Sequence, residues 1–409
     1  MKNNKDEKAH MIITLVTDQF YKNNHGTSIS AQRFYNGLVG RGHTVRVVSI
    51  DSNNNTVYAL KERYFGKLIT GIINSQGFQF GKYDEETIKK AIEGSDIVHV
   101  YLPFNMEQKT IQLCREMNVP CTAGFHIVPE NITSTIYLNK LPLANNALWS
   151  SFYNTTYRYI KHIHCPSLMV AKQLENHGYH SNLHIISNGY NDIFKVVENE
   201  ERPTIFKDKI LITFIGRFSR EKRHDLIIKA VNESKYKDKI QLVFGGKGPT
   251  KAKIMKMAQK LPNYPIFSFF TREQLISLLN YADLYIHPAD IEVEGMSCIE
   301  AIACGCVPIV SDSPKSATPQ FTVSEHSRFK HGDYKDLAKQ IDWWIEHPEE
   351  LAAEKKRIAD HALRFTIERS MDYYINFFED AIKDWDNTYD GKSKKKKIDT
   401  KIINNYETK

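Results

Sequence analysis

The sequence predicts an α/β fold with two Rossmann-like domains, each a parallel β-sheet flanked by helices, that face each other across a cleft. Short apolar runs ending in Gly, Asp, His or Pro alternate with longer helical patterns. This alternation is typical of consecutive βαβ units, and it occurs twice along the chain. The chain has 409 residues, more than one hydrophobic core ordinarily supports, because a domain holds roughly 150 residues.

Apolar runs bounded by turn residues supply the strands of both domains. A polar stretch at 191–208, with a proline, separates the two sets of strands and is typical of a linker. The predicted domains are therefore 1–190 and 209–365. The predicted strands are 12–17, 44–50, 97–101, 121–126, 162–165 and 184–187 in the first domain, and 210–216, 240–245, 265–269, 284–287 and 308–311 in the second.

The C-terminal part of the chain is predicted to be a helix followed by a disordered tail. Apolar residues recur at helical spacing within 366–390, so part of this segment needs an apolar partner and is predicted to cross back onto the first domain. Residues 391–409 carry seven lysines and two acids, a net +5 of the chain's +7. We interpret them as a basic tail attracted to anionic lipid; a solvated tail that only aids solubility is the alternative. The apolar residues are Tyr374, Phe377, Phe378, Ala381 and Trp385.

The composition argues against several classes of protein. No apolar run reaches the roughly 18 residues that could span a bilayer, and the basic start of the chain lacks the cleavage site of a secretion signal. Outside the tail the charges nearly balance, which argues against a nucleic-acid partner. The six cysteines show no CxxC spacing and suit a reduced cytoplasm. Cys304 and Cys306 have the spacing of a redox or metal pair, but we prefer their burial as small apolar residues.

Ligand-binding residues are expected beyond the strand ends, because open parallel sheets bind ligands there. After the first strand, Gly26 and Thr27 start a helix whose N-terminus can face a phosphate, although an ordinary βα turn explains them equally well. After the first strand of the second domain, Gly216 precedes Arg217 and Lys222. Two cations at this point suit a diphosphate, whereas the alternative is a surface Arg and Lys that begin a helix.

The most informative stretch is 287–300, where three acids precede an apolar helix. Gly295 can expose backbone amides, and a helix starting near Ser297 aims its positive end at the cleft. Glu300 lies on that helix, where a carboxylate can accept two ribose hydroxyls. The competing interpretation is a capping box made by Ser297 and Glu300, which leaves the other acids unexplained.

Together these features resemble the family-4 retaining glycosyltransferases of the GT-B fold, in particular bacterial members that glycosylate diacylglycerol or similar lipids. The resemblance covers the chain from about residue 11 to about residue 385 and is more specific in the second domain. It rests on Glu292-x7-Glu300 with an internal glycine, on Gly216-Arg217 followed by Lys222, and on Ile186-Ser187-Asn188-Gly189.

The resemblance implies a role for each matching residue. Arg217 and Lys222 match the pair that holds the donor diphosphate, and Glu300 matches the acid that binds the nucleotide ribose. Glu292 matches the acid that contacts sugar hydroxyls, and His126 is similar to a sugar-contacting histidine; without the resemblance, a lone strand-end histidine is more often structural. The implied catalytic residues are His126, Arg217, Lys222 and Glu292. The implied donor contacts are Gly26, Thr27, Gly216, Arg217, Lys222, Gly246, Arg272, Glu292, Gly295, Met296, Ser297 and Glu300.

Three positions depart from the family pattern and bear on the identity of the sugar. The first loop has Asn24-His25-Gly26 in place of a Gly-Gly doublet, Arg223 stands where the family has glycine, and Glu294 replaces a common aromatic residue. Because the predicted second domain, 209–365, has no DxD motif and no His/Cys cluster in sequence, we expect the cations and the helix dipole to neutralise the leaving group without a metal or another cofactor.

The resemblance implies a UDP-sugar donor, with glucose or galactose as the hexose, and a lipid acceptor bound by the first domain. Aromatic and basic residues mix in the first half, as on surfaces that dip into lipid head groups, although core packing explains many of the rings. We therefore expect a cytoplasmic protein, peripheral on the inner face of the cell membrane, as a monomer or homodimer. A soluble or polysaccharide acceptor, a sugar-nucleotide epimerase and a nucleic-acid-binding module are the alternatives. The mixed residues are Arg63, Tyr64, Phe65, Lys67, Tyr137, Lys140, Trp149, Phe152, Tyr153, Tyr157, Arg158, Tyr159 and Lys161.

Overall fold

The computed structural model of the chain describes residues 10–21, 26–51, 57–75, 77–135, 141–198, 200–393 and 399–406. It divides into two compact units. The first unit comprises Met1–Ile127, Asn146–Asn188 and Ser370–Lys409, and the second comprises Val128–Asn145 and Gly189–Arg369. Residues 128–145, expected in the first domain, group with the second unit, as do residues 191–208, which were expected to be a separate linker.

The first unit contains an eight-stranded parallel sheet in the order β14-β7-β6-β5-β4-β1-β2-β3. Every residue of β4, β5 and β6 is buried, because a parallel sheet is covered by helices on both faces. β4 accordingly reads as an almost continuous apolar run, whereas β5 and β6 also bury polar residues, among them Thr122, His162 and His164. The strands are β1 (Ile12–Val16), β2 (Thr44–Ser49), β3 (Val57–Ala59), β4 (Ile97–Val100), β5 (Cys121–Gly124), β6 (His162–Cys165), β7 (Asn182–Ile185) and β14 (Lys401–Asn404).

The last helix that the structure describes, α14 (Ile367–Lys383), belongs to the first unit from Ser370 onwards. Its predicted apolar face is buried as far as Ala381. A Cβ at Gly37 of α1 would lie 2.4 Å from the sulfur of Met371, so the glycine lets α1 and α14 pack closely. The helices are α1 (Gly26–Gly40), α2 (Lys67–Ser75), α3 (Glu85–Ile92), α4 (Asn105–Glu116), α5 (Pro129–Thr135), α6 (Pro142–Thr155), α7 (Leu168–Asn176) and α14 (Ile367–Lys383); α5 and the start of α6 belong to the second unit.

The prediction of a disordered tail is wrong for the part of it that forms strand β14. Lys401–Asn404 pairs in parallel with Asn182–Ile185 of β7 and adds a strand to the edge of the first sheet. Backbone pairing and two isoleucines, Ile402 and Ile403, outweigh the repulsion between lysines that suggested disorder. The lysines at 394–397 lie outside the described residues.

The second unit contains a six-stranded parallel sheet in the order β10-β9-β8-β11-β12-β13. With β8 taken as the first strand, this is the 3-2-1-4-5-6 order of a Rossmann fold. Its strands are β8 (Ile210–Ile215), β9 (Ile240–Gly245), β10 (Ile266–Ser268), β11 (Leu284–His287), β12 (Val307–Ser311) and β13 (Arg328–Phe329). Its helices are α8 (His224–Glu233), α9 (Lys251–Ala258), α10 (Arg272–Tyr281), α11 (Met296–Ala303), α12 (Tyr334–Glu346) and α13 (Pro348–Ala362).

The predicted strands agree with the observed ones to within about two residues at each end. The sequence did not indicate the three strands β3, β13 and β14. Each has two to four residues and lies at or beside a sheet edge, where few side chains are buried to leave an apolar pattern. Within the residues that the structure describes, no helix is long and apolar enough to cross a bilayer.

Candidate functional site

The predicted donor residues of the second unit lie around the point where the order of its sheet reverses. β8 and β11 are neighbours in the sheet, but the chain leaves β8 towards β9 on one side and leaves β11 towards β12 on the other. Loops that diverge in this way open a crevice at the carboxyl ends of the two strands, where open α/β sheets bind ligands. Gly216 and Arg217 follow β8, and the acidic stretch follows β11.

Glu292 lies at the centre of this region, where the side chains of Lys222 and His287 both contact it. Lys222 Nζ forms an ion pair with Glu292 Oε2, and His287 Nε2 lies 3.0 Å from the same oxygen. Burial alone would raise the pKa of Glu292, but the charge of Lys222 and the hydrogen bond from His287 hold it well below the ordinary carboxyl value. Glu292 is therefore ionised at neutral pH.

His287 was not predicted as a site residue, although it is the last residue of a predicted strand. Its side chain is only 1% exposed, and burial lowers its pKa despite the neighbouring carboxylate. The ring is therefore neutral, and its Nε2–H donates to Glu292. A histidine that ends a buried strand directly before an acidic stretch is the sequence signal that indicates this contact.

The first turn of α11 lies beside the carboxyl end of β8. The Tyr285 hydroxyl lies 3.2 Å from the Ile215 carbonyl oxygen and 2.8 Å from Ser297 Oγ. The Tyr285 hydroxyl is the donor in both contacts, so its single hydrogen is shared between the Ile215 carbonyl oxygen and Ser297 Oγ. Helix α11 begins at Met296 with Gly295 as its N-cap, so the alternative in which Ser297 caps the helix is wrong.

Gly295 is required by its conformation and its surroundings. Its φ of 97° lies in the left-handed region, and a Cβ there would lie 2.7 Å from Thr318 Cγ2 and 3.4 Å from Glu292 Cγ. The glycine thus brings the start of α11 close to Glu292. Glu300 lies one turn further along α11 and is partly exposed, and the N-terminal N–H groups of a helix favour an anion at its start.

Two glycines bring the loops after β8 and β9 into backbone contact. Gly246 has a φ of 140°, and a Cβ on it would lie only 2.0 Å from the carbonyl oxygen of Gly216. Arg217 follows Gly216 and is partly buried, and burial lowers its pKa from the ordinary arginine value. Arg272 differs from the other predicted residues, because it lies exposed at the start of α10, after the edge strand β10.

Arg223, which departs from the family's glycine, keeps a backbone conformation that favours glycine. Its φ and ψ are 51° and 40°, in the left-handed region. This conformation costs an arginine about 1–2 kcal/mol. The Arg223 guanidinium lies 3.0 Å from Asp225 and 3.0 Å from Asp290, and Asp290 also contacts His331 at 2.9 Å. These ion pairs offset part of the conformational cost.

The predicted residues of the first unit lie at the ends of its strands. Gly26 and Thr27 are the first residues of α1, as the sequence indicated. His126 lies two residues beyond β5, and a Cβ at Gly124 would be 2.4 Å from His126 Nε2, so the glycine makes room for the ring. Burial and two neighbouring histidines lower the pKa of His126, and its Nε2 has no partner among the described residues. His126 is therefore neutral, and because its Nε2 is itself buried beside Gly124, a sugar contact through this residue stays a prediction.

His126 belongs to a trio with His99 and His164, whose nearest ring nitrogens all lie within 4.8 Å of one another. His164 Nε2 lies 2.7 Å from a carbonyl oxygen, so its Nδ1 accepts from the Tyr374 hydroxyl at 2.8 Å. The Tyr374 oxygen then accepts from His99 Nε2 at 3.2 Å, and His99 Nδ1 lies 2.9 Å from the Thr122 hydroxyl. Burial lowers the pKa of both rings. We interpret His99 and His164 as members of a neutral hydrogen-bond network, with the neutral ring of His126 packed beside them.

Two family models match the chain. The family model for glycosyltransferase family 4 matches residues 25–192, and that for glycosyl transferases group 1 matches residues 196–361. No curated protein sequence shows a significant match to the chain.

Several solved structures are similar to the chain. Anabaena HepE in complex with UDP and glucose has a TM-score of 0.68 at 14% identity, over 91% of this chain and 100% of that one. Sucrose-phosphate synthase from Thermosynechococcus elongatus has a TM-score of 0.72 at 15% identity, over 91% and 99%. The catalytic domain of cholesterol-alpha-glucosyltransferase from Helicobacter pylori is 42% identical over 38% of this chain and 99% of that one, with a TM-score of 0.38.

The two family models together span the chain from residue 25 to residue 361 with a gap of three residues. The full-length structural matches show the GT-B fold. The chain therefore belongs to family 4 of the glycosyltransferases, enzymes that transfer a sugar from a nucleotide-sugar donor.

Proposed function

We propose that the chain is a retaining hexosyltransferase that moves glucose or galactose from a UDP-sugar to a membrane lipid such as diacylglycerol. The observation that supports the donor half most strongly is the contact of Glu292 with Lys222 and His287 beside the first turn of α11. A fixed cation, a fixed carboxylate and a helix N-terminus at one switch point suit a sugar diphosphate, which carries its negative charge next to a hydroxyl-rich ring.

The proposed roles follow from the chemistry of breaking the bond between the anomeric carbon and the diphosphate. The leaving diphosphate gains charge in the transition state, so Arg217, Lys222 and the α11 amides stabilise it most at that point. Glu300 accepts the ribose hydroxyls, and Glu292 accepts hydroxyls of the sugar. In this proposal Lys222 is already held in place by Glu292, so less side-chain freedom is lost when the diphosphate binds.

UDP-glucose is the first donor to test. A protein of the same fold, Anabaena HepE, has been solved in complex with UDP-glucose. The choice between glucose and galactose rests on the first loop, on Arg223 and on Glu294, where the chain departs from the family pattern. Glu294 is only 3% exposed, so its side chain lies inside the protein and not at its surface.

Fewer of the aromatic and basic residues lie at the surface than a lipid-binding face built from the whole set would need. Four rings of the aromatic and basic set, Trp149, Phe152, Tyr153 and Tyr157, belong to the core, which confirms the core-packing explanation for them. Arg158 and Lys161 pair with Asp390 and Asp384, while Tyr137 and Lys140 lie outside the described residues.

The part of the set that stays at the surface surrounds the start of α2. Tyr64 is 69% exposed and Ile69 is 54% exposed, beside Arg63 and Lys67. Exposed apolar side chains among basic ones are typical of protein surfaces that enter the head-group region of a membrane. This surface supports a lipid acceptor over a soluble one.

The lysines at 394–397 are bounded on both sides by residues held to the first unit. On one side the Gly391 N–H donates to the Arg158 carbonyl at 2.8 Å, and on the other β14 pairs with β7. Deleting the tail would therefore also remove a strand of the sheet. Membrane attraction is better tested by changing these four lysines to glutamine in the full chain.

The proposed acceptor is tested with labelled UDP-glucose or UDP-galactose and two acceptor pools, a membrane lipid extract and a panel of free sugars and oligosaccharides. We expect label in the organic phase with one of the two donors. The four-glutamine variant should bind anionic vesicles at least about tenfold more weakly, because each lysine contributes about 1 kcal/mol near such a surface, with little change on neutral vesicles. Label found only in water-soluble product would contradict the lipid acceptor and favour the soluble one.

A further inference from the structure

The first unit contains a cavity of about 330 Å³ whose walls are mostly apolar. This volume lies at the lower end of the range for ligand pockets, so the cavity has room for one part of a larger ligand. Its other lining residues are Asp18, Arg63, Gly81 and Asn105. The apolar lining residues are Phe65, Ile69, Ile73, Phe80, Phe104 and Met106.

The cavity lies at the switch point of the first sheet. β1 and β4 are neighbours, and the chain leaves them towards β2 and β5 on opposite sides. Asp18 follows β1, while Phe104 and Met106 follow β4 at the start of α4. The cavity therefore occupies the place where an open parallel sheet binds its ligand.

Aromatic rings form one connected wall of the cavity. Phe80 packs edge-to-face against Phe65, with ring centroids 5.8 Å apart, and against Phe104, with centroids 4.9 Å apart. The Arg63 guanidinium lies over the Phe65 ring at 4.9 Å. This wall offers contacts for a hydrocarbon chain, and Arg63 places a cation at one side of it. It offers few groups that could form hydrogen bonds with a sugar ring.

Helix α2 forms the outer side of the cavity. Ile69 and Ile73 are one turn apart and both line it. Ile69 is 54% exposed, so the apolar lining continues to the protein surface beside Tyr64. An apolar lining that reaches solvent here is the feature that a hydrocarbon chain entering from a membrane requires.

The inner end of the cavity is polar. Asp18 is 3% exposed, and its Oδ1 accepts the Gly81 N–H at 2.7 Å. Burial raises the pKa of Asp18 to about 7, and the pKa of its neighbour Glu107 is raised further by burial and by the charge of Asp18. Two adjacent buried carboxyls hold one proton between them. Asp18 thus offers a carboxylate oxygen inside an apolar cavity, which favours a ligand with a hydroxyl group.

We propose that this cavity binds the lipid acceptor, with its hydrocarbon along the phenylalanines and α2 and a hydroxyl hydrogen-bonded to Asp18. The proposal deepens the proposed function and rests on it for the identity of the acceptor. It assigns the hydrocarbon contacts to Ile69 and Ile73 and the polar contact to Asp18.

Binding is tested by protecting a single introduced thiol. All six native cysteines are buried, so Ile69→Cys adds a thiol that a maleimide reaches readily. Dioctanoylglycerol, below its aggregation concentration and at about nine times its dissociation constant, should slow labelling about tenfold, because only the unbound fraction reacts. Val39→Cys, on α1 and 44% exposed, is the matched control and should label at the same rate with and without the lipid. Equal labelling of Ile69→Cys in both conditions overturns the proposal.

Two further variants test the contacts through the kinetics. Ile73→Gln should raise KM for the lipid at least about tenfold, as a polar group placed in an apolar wall costs about 1–3 kcal/mol. Asp18→Asn, which keeps the oxygen that accepts from Gly81, should also raise it. A rise of the same size in KM for the donor would overturn the assignment to acceptor binding.

The results separate this proposal from the proposed function. If the wild type transfers sugar to lipid but the lipid does not protect Ile69→Cys, the cavity is not the acceptor site. The proposed function is then still supported. Protection by dioctanoylglycerol without any transfer to lipid supports the cavity and refutes the lipid acceptor as a substrate. Protection by a free sugar and not by the lipid overturns the assignment of a hydrocarbon ligand.

Discussion

Replacing Arg217 by alanine is expected to lower turnover about 100- to 1000-fold, the loss typical of removing one preorganised group that stabilises developing charge. Arg217 follows β8 at the switch point and is partly desolvated, since burial lowers its pKa. A cation in such a place interacts strongly with the leaving diphosphate. The measurement is kcat with saturating donor and acceptor, together with the thermal midpoint of unfolding.

The matched control for this variant is Arg220→Ala. Arg220 lies in the same loop but is exposed, so its loss should change kcat by less than about threefold, in keeping with the small effect of exposed charges. An equal fall in kcat for the two variants would show that only the general charge of the loop matters. A large fall in the unfolding midpoint of Arg217→Ala would show that its role is structural.

The second large effect is expected for Glu292→Gln. The change removes the ion pair with Lys222 while a side-chain oxygen can still accept from His287. Activity should fall about 10- to 150-fold, because a hydrogen bond to a charged group contributes about 1.5–3 kcal/mol. The free energy of unfolding should fall by about 1–3 kcal/mol, since Lys222 is left without its carboxylate.

The loss of unfolding free energy in Glu292→Gln should depend on pH, because the pKa of Glu292 determines the pH range in which its carboxylate is charged. Its pKa is held below the ordinary value of 4.5, so its contribution is present above about pH 4.5 and is lost as the pH falls further. The difference in unfolding free energy between wild type and Glu292→Gln should therefore shrink below that pH. Glu325→Gln, at a 91% exposed carboxylate, is the control. A difference that grows in acid would contradict the ionised, paired state of Glu292.

Much of the fold could be predicted because parallel strands buried on both faces leave continuous apolar runs. β6, β9 and β11 were predicted with the bounds that the structure shows. β14 could not be predicted, because its pairing with β7 depends on a partner more than two hundred residues away in the sequence. The grouping of residues 128–145 with the second unit is likewise a matter of tertiary contact and leaves no local pattern.

The sequence predicted those residues of the candidate site whose side-chain type alone indicates a chemical role. Lys222 and Glu292, seventy residues apart, were both named from the sequence, and the structure places them in contact. Their roles remain proposals. His287 and Asp18 were missed as site residues because a single strand-end residue is ambiguous until its neighbours in space are known. The left-handed conformation of Arg223 explains how the chain departs from the family's glycine without losing the turn.

The donor site is tested most directly by the affinity of the protein for UDP, measured by calorimetry on wild type, Arg217→Ala, Glu300→Ala and the exposed-acid control Glu325→Ala. We expect Arg217→Ala and Glu300→Ala each to weaken UDP binding at least about tenfold, or about 1.4 kcal/mol, through the diphosphate and the ribose respectively. Glu325→Ala should bind as the wild type does. Unchanged affinity in both site variants, with all four proteins folded, would contradict a donor site between β8 and α11.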